Sequence, residues 1–403
     1  MRTKNLIVFF VLNLLAIKAF SQTDVTKAFS FAQKQTALML KEVDTVKSDA
    51  ANSALVSPRS LNVDGKLIMV PSKDWCSGFF PGELWFLYEY TKDKKWMGLA
   101  QKFTTNIETE KTNGITHDMG FKVYNSVGNG YRLTKDAHYK EVIIEAAKTL
   151  STRFNPVVGS IKSWDNRKQW KFPVIIDNML NLELLFEATR LTGDSSFYKI
   201  AVAHANTAMK NHFRADYSSY HVIDYDPETG KVLHKQTHQG YADESAWARG
   251  QAWGLYGYTM CYRETHNKAY LKQAENIAKF IFSNPNLPTD LVPYWDYNDP
   301  AIPNVPRDAS AAAVAASALY ELSTYSKNAK EYRSTADKIV KMLSEKYQAK
   351  AGGSKGFLLI HSTGHKPAGT EIDVPIIYAD YYYLEALLRK QHLYKGQPVI
   401  NRN

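Results

Sequence analysis

TGDSSFYKIA, residues 192–201, sets a polar turn, an aspartate, an aromatic residue and an alanine in a fixed order. Asp and Asn accept hydrogen bonds from the open amides of a helix start. Asp194 therefore marks a turn between two helices, with Tyr198 and Ala201 on the second. The arrangement recurs at Thr91-Lys92-Asp93 with Trp96 and Ala100, at Thr134-Lys135-Asp136 with Tyr139 and Ala146, at Thr265-His266-Asn267 with Tyr270 and Ala274, and at Ser326-Lys327-Asn328 with Tyr332 and Ala336. Apolar stretches with helical spacing precede the turns, for example Leu180, Leu184 and Ala188, or Ala315, Leu319 and Leu322. The repeating unit is a helical hairpin.

Working outward, an N-terminal helix near Val25 to Val43 and a last one near Ile376 to Leu388 bring the expected total to about a dozen. The turns are 43 to 73 residues apart, too irregular for an open solenoid of the kind used for protein binding. Variable, aromatic-rich loops on one end of a closed ring of hairpins fit better: an all-α (α/α)6 toroid, in which inner helices surround a funnel and loops at one rim build a site. The chain has 403 residues, 44% hydrophobic and 22% charged, enough to bury a large core, and no Pro, Gly or Ser-rich linker divides it. The expected organisation is a signal peptide over 1–21 and one catalytic domain over 22–403.

The signal peptide is read from MRTKNLIVFFVLNLLAIKAFSQ: Arg2 and Lys4, an apolar stretch from Leu6 to Ile17, then Ala19 and Ser21 before the cut. Lys18 leaves the apolar run short for a membrane span, and no later stretch is long and apolar enough. A secreted, periplasmic protein without a membrane anchor is expected. Cleavage would remove Arg2, Lys4 and Lys18 and no acid, taking the formal charge from +10 to +7. That balance suits an anionic partner such as an acidic polysaccharide, and no Lys/Arg run reads as a nucleic-acid patch. Cys76 and Cys261 are expected to be buried free thiols.

No HExxH, paired CxxC, P-loop or GxSxG is present, so zinc-hydrolase, phosphate-loop and serine-hydrolase readings have no local support. Carboxylates, His, Arg and aromatics remain, the toolkit of a carbohydrate site. In His117-Asp118-Met119-Gly120-Phe121, Asp118 reads as a helix N-cap or a site carboxylate. In IIDNMLN (175–181), Asp177 has apolar flanks that would desolvate it and raise its pKa, although a simple cap would place Asp here too. In HQGYADESAWARGQAWG (238–254), Arg249, Trp253 and Tyr256 share a helical face beside a stripe of Gly250, Gly254 and Gly257. An Arg fork beside an indole wall suits a sugar carboxylate, while a surface Arg beside a core Trp reads the same window. Trp75, Trp164, Trp170, Tyr294, Trp295 and Tyr297 fall in candidate rim loops. His221 lies in a polar loop, and Asp308 reads as the cap of an Ala-rich helix.

Seven stretches, SKDWCSGFFPGELW (72–85), HDMGF (117–121), IIDNMLN (175–181), HQGYADESAWARGQAWGLYGY (238–258), RDASAAAVAASALYEL (307–322) and GFLLIHSTGH with YADYYYLEALLR, resemble the unsaturated glucuronyl hydrolases, glycoside hydrolase family 88. The resemblance implies an (α/α)6 barrel that removes a 4,5-unsaturated uronic acid from the non-reducing end of lyase-derived glycosaminoglycan oligosaccharides, some of them sulfated. The chemistry it implies is hydration of the C4=C5 bond, with no displacement at the anomeric carbon. By residue-to-residue matching, Asp177 is the general acid/base and Asp118 the second essential aspartate. His221, His238, Gln239, Arg249, Trp253, Trp164, Trp75, Met119 and Ser362 match substrate contacts, with Arg249 on or near the uronate carboxylate. Sulfate handling is expected around Ser354, Lys355, His361, Ser362, His365 and Lys366. No metal or organic cofactor is implied. The alternatives are a related unsaturated rhamnogalacturonyl hydrolase acting on pectin fragments, and a non-catalytic binder of acidic oligosaccharide.

Overall fold

The computed structural model describes residues 2–401, with side chains from residue 24 onward. The side chains of the expected signal peptide, residues 1–21, lie outside the described residues. The helices are α1 (Arg2–Lys47), α2 (Phe79–Thr91), α3 (Lys94–Thr105), α4 (Asn129–Thr134), α5 (Ala137–Ser151), α6 (Leu182–Thr192), α7 (Ser195–Asn211), α8 (Ala248–Thr265), α9 (Lys268–Ser283), α10 (Ala309–Leu322), α11 (Ala329–Lys346) and α12 (Ile377–Tyr394). A π-helix, Gly120–Gly128, runs into α4, and a 3-10 turn, Ile176–Asn181, runs into α6.

Four of the five turns that carry the repeat are built the same way. The hydroxyls of Thr91, Thr134, Thr192 and Thr265 accept the N–H of the Asp or Asn two residues on, at 3.0 to 3.3 Å. The residue between, Lys92, Lys135, Gly193 or His266, closes the preceding helix in the left-handed region. Asp93, Asp136, Asp194 and Asn267 then accept an amide of the next helix. The fifth copy departs from this pattern: Asn328 donates to the Ser326 hydroxyl, but its side chain caps nothing.

The helices that precede these turns form an inner ring. α2 packs on the π-helix, the π-helix on α6 and its 3-10 turn, these on α8, α8 on α10, α10 on α12, and α12 returns to α2. Burial separates the inner and outer layers. All fourteen residues of α10 are buried, whereas α9 buries a stripe of Tyr270, Gln273, Ala274, Ile277, Ala278 and Ile281. A helix apolar on every side needs neighbours on every side, and one with a single stripe belongs on the outer wall. One hydrophobic cluster extends from Val25 to Val399. Cys76 and Cys261 are buried free thiols within it.

The short turns lie at one end of the ring and the long loops at the other, which explains the irregular spacing of the repeat. Those loops also carry strands that helical periodicity does not reveal: β1 (Leu55–Leu61) with β2 (Leu67–Pro71), β3 (Phe154–Asn155) with β4 (Ser160–Ile161), and β5 (Pro173–Ile175), β6 (Val222–Tyr225) and β7 (Val232–Gln236) as a three-stranded antiparallel sheet.

Candidate active site

The HDMGF and IIDNMLN segments meet at a close backbone contact. A Cβ on Gly120 would stand 2.6 Å from Asn181 Cα, so only glycine fits there. The Asn181 side-chain carbonyl in turn accepts the Phe121 N–H at 3.0 Å. On the other side, a Cβ on Gly257 of α8 would stand 2.5 Å from Met179 Cβ, so the glycine of the WARGQAWGLYG helix seats the same 3-10 turn. These contacts bring Asp118 and Asp177 to the base of one cavity.

That cavity, of about 200 Å³, opens at the long-loop end. Trp75, Phe121, Trp164 and Tyr378 supply aromatic walls, and Arg59, His117, Asp118, Asp177, His238, Gln239 and His365 supply polar groups. Aromatic faces flanked by a few convergent polar groups are the recurrent composition of small-molecule sites. Trp164 and Trp170 stack at 5.4 Å, and the Trp170 indole N–H donates to the Gln236 side chain at 2.7 Å, which stiffens that wall.

Neither aspartate serves as a helix cap. The Asp177 Oδ2 has no hydrogen-bond partner among the described residues and lies 3.6 Å from His221 Nε2. Burial pushes the Asp177 carboxyl up to about 7; the Arg249 charge and the Trp253 indole pull the other way, and the Asp118 charge adds to the rise. Asp118 accepts the Thr116 hydroxyl at 2.6 Å, and His117 Nε2 lies 3.3 Å from its other oxygen. His221 accepts the backbone N–H groups of His238 and Gln239 on Nδ1, both at 3.1 Å. Its proton is therefore on Nε2, facing Asp177, and burial keeps the ring neutral by lowering its pKa well below the usual range.

The remaining residues expected at the site divide into two groups. Trp75, Trp164, His238 and Gln239 line the cavity with the two aspartates; His221 lies directly behind Asp177. Arg249 does not have the free fork expected for a uronate carboxylate. It is 1% exposed, and its two terminal nitrogens are held by Asp308 at 2.8 Å and by the Thr363 and Gly364 carbonyls at 2.6 Å. The Ala-rich helix α10 needs a cap, and the same Asp308 provides it while neutralising Arg249. Trp253 is no exposed stacking wall: it is fully buried between Phe121 and Tyr382, beneath the cavity floor. Met119 is likewise buried off the cavity. Ser362 is buried with its backbone paired to Val374, away from the lining.

Of the other residues expected to handle sulfate, His365 lines the cavity. Lys355 is paired with Glu42 of α1, His361 with Asp373 and Lys366 with Asp299. Arg59, Arg167 and Glu371 reach the cavity without a local sequence signal, and Tyr378, the first residue of the YADYYYLEALLR stretch, joins them there. Arg59 comes from the β1–β2 hairpin and pairs with both Asp74 and, 312 residues away in the chain, Glu371. Among the described residues no group of three His, Cys, Asp or Glu side chains is placed to hold a metal ion.

Known proteins share this architecture. The chain is 55% identical over 340 residues to an unsaturated glucuronyl hydrolase of Formosa agariphila, covering 83% of this chain and 85% of that protein. It is 34% identical over 382 residues to an unsaturated chondroitin disaccharide hydrolase of Streptococcus pyogenes serotype M1, 92% of each. A crystal structure of an unsaturated glucuronyl hydrolase specific for heparin superposes with a TM-score of 0.85 at 45% identity, covering 93% of this chain and 99% of that one. Residues 57–392 match the model of Glycosyl Hydrolase Family 88, and the chain belongs to that family.

Proposed function

We propose that this chain is a glycoside hydrolase that removes the 4,5-unsaturated uronic acid from the non-reducing end of lyase-derived glycosaminoglycan oligosaccharides by hydrating the C4=C5 bond. The observation that carries the reading is the Asp177 carboxyl: desolvated, raised to about 7, and unpaired on one oxygen at the base of an aromatic-walled cavity. Such a group holds a proton near neutral pH and can deliver it to carbon. Protonation at C4 leaves positive charge shared between C5 and the ring oxygen, and the Asp118 carboxylate is close enough to stabilise it. Asp177, now ionised, takes a proton from the water that adds to C5. The resulting hemiketal opens and releases the neighbouring sugar. One water is consumed, and the Asp177 proton is restored.

In this reading Trp75, Trp164 and Tyr378 flank the sugar rings, and His238 and Gln239 meet hydroxyl or carboxylate oxygens. Arg249 acts from beneath by fixing the Thr363–Gly364 backbone and by its field at Asp177. Turnover is tested by the enol-ether absorbance of unsaturated chondroitin or heparin disaccharides: a hydrolase removes it, and a non-catalytic binder leaves it intact. In heavy-oxygen water the label should enter at C5; label at the anomeric carbon would exclude the mechanism. We also propose export to the periplasm with cleavage after Ser21. Terminal sequencing of the mature protein should then begin at Gln22.

A further inference from the structure

The two aspartates at the base of the cavity are held in different ways. Asp177 has one oxygen without a hydrogen-bond partner among the described residues, whereas both oxygens of Asp118 are met by the two residues that precede it. The Thr116 hydroxyl accepts the Asp118 N–H at 3.1 Å and donates to Asp118 Oδ2 at 2.6 Å, a closed loop that fixes the side chain against its own backbone. So short an O–H···O separation marks a charge-assisted bond. Thr116 is itself anchored: its backbone is bridged to Trp164, and the nearby Gly114 carbonyl accepts Arg153 Nη1 at 2.6 Å.

On the other oxygen, His117 Nε2 stands 3.3 Å from Asp118 Oδ1, and the residue is 1% exposed. Burial, with the Arg153 charge, keeps this ring neutral against the pull of the Asp118 charge and of the Asn178 side chain. A neutral imidazole has one N–H to give. A carboxylate attracts it more strongly than an amide oxygen does, which places the proton on Nε2, aimed at Asp118. Hydrogen bonds of this kind are often long in an unliganded site and shorten in the complex. Thr116 is off the cavity lining and His117 is almost wholly buried, so their route to a bound sugar runs through Asp118. A carboxylate that must face charge developing on C5 and the ring oxygen works best when its orientation is set beforehand.

Resting on the reading of Asp118 as the carboxylate that stabilises that charge, we propose that Thr116 and His117 are positioning residues, each donating to one Asp118 oxygen and together fixing the direction in which the carboxylate faces the sugar. The test measures kcat and KM on unsaturated chondroitin disaccharide for Thr116→Val and for His117→Ala, Gln and Asn, each in the wild-type and the Asp118→Asn background. In the wild-type background Thr116→Val and His117→Ala should each lower kcat by about tenfold, the scale of one charge-assisted hydrogen bond, with KM held within about twofold. His117→Gln should recover much of the loss, because its amide nitrogen reaches the place of Nε2. His117→Asn, whose amide stops near Nδ1, should not. In the Asp118→Asn background the same substitutions should cost little more, since residues that act through one group are not additive with its removal. A tenfold loss repeated in that background, a loss carried by KM, or a Gln variant no better than Asn would overturn the proposal. If the wild type leaves the enol-ether absorbance intact, the hydrolase reading fails on its own. The positioning contact is then decided by nitrogen-15 NMR of the His117 ring in the wild type and Asp118→Asn. A proton on Nε2 whose resonance moves with the substitution supports it, and a proton on Nδ1 or an unmoved resonance refutes it.

Discussion

Asp177 and Arg249 show how one side chain's work is set by its neighbours. Raised to about 7 chiefly by burial, Asp177 is protonated below that value and ionised above it. As the acid form is the reactive one, kcat/KM should hold on the acidic side and fall as pH rises through about 7, and Asp177→Asn should abolish turnover with the fold intact. The Asp118 charge contributes to the rise. The residual activity of Asp118→Asn should therefore show its alkaline limb displaced to lower pH, checked by a pH–rate profile; a displacement upward would contradict the assigned coupling. Arg249→Ala would leave Asp308, 0% exposed, without its cation. Breaking a buried pair in this way costs about 3–5 kcal/mol, so the variant should show a lowered unfolding midpoint as well as lost turnover. An unchanged midpoint with only a raised KM would restore the carboxylate-clamp reading. Asp177 and Asp118 were legible in the sequence because their apolar or glycine-rich flanks are local. The fate of Arg249 was not, because its partner lies 59 residues away and the window around it holds equally plausible ones.

Among the elements, the Thr-x-Asp turns separate a motif's appearance from its energetics. Asp194 accepts the Ser196 amide at 2.8 Å, whereas Asn328 occupies the matching place and caps nothing. Asp194→Ala should therefore cost about 1 kcal/mol and Asn328→Ala close to nothing, measured by urea unfolding. Equal losses would mean that the side-chain cap is not what the repeat supplies. The hairpins were legible since capping and helical periodicity both act within a few residues. The β1–β2 hairpin was not, because its strand pattern is short and its role depends on Glu371, in a distant loop. The π-helix at Gly120–Gly128 was not legible for a related reason: the Asn181 side chain that accepts its Phe121 N–H lies 60 residues away in the chain.

For the whole molecule, the buried polar groups between inner helices make stability depend on pH. Glu83 of α2 and Asp380 of α12 are both buried, and burial raises both carboxyls, with the Glu83 charge adding to the rise at Asp380. The folded state thus retains protons that the unfolded chain releases at the ordinary carboxylate range. The stabilisation is complete below that range and is lost as pH climbs through the raised folded values. The wild-type unfolding midpoint should therefore lose ground against that of Glu83→Gln as pH rises through about 7; a difference between the two that stays flat with pH would refute the assignment. The closed ring was legible from the irregular spacing of the turns, but which inner helix lies beside which was not, since that is decided by packing among residues far apart in sequence.

The contact between α12 and α2 has a bearing on biosynthesis. Trp75 and Arg59 come from the leading portion of the chain, while Glu371 and Tyr378 come from its trailing portion. A nascent polypeptide still lacking its final segment has five of six staves and an open seam. Chemistry must therefore wait until the ribosome has finished, and any product truncated before residue 377 should be inert however well its earlier hairpins have formed.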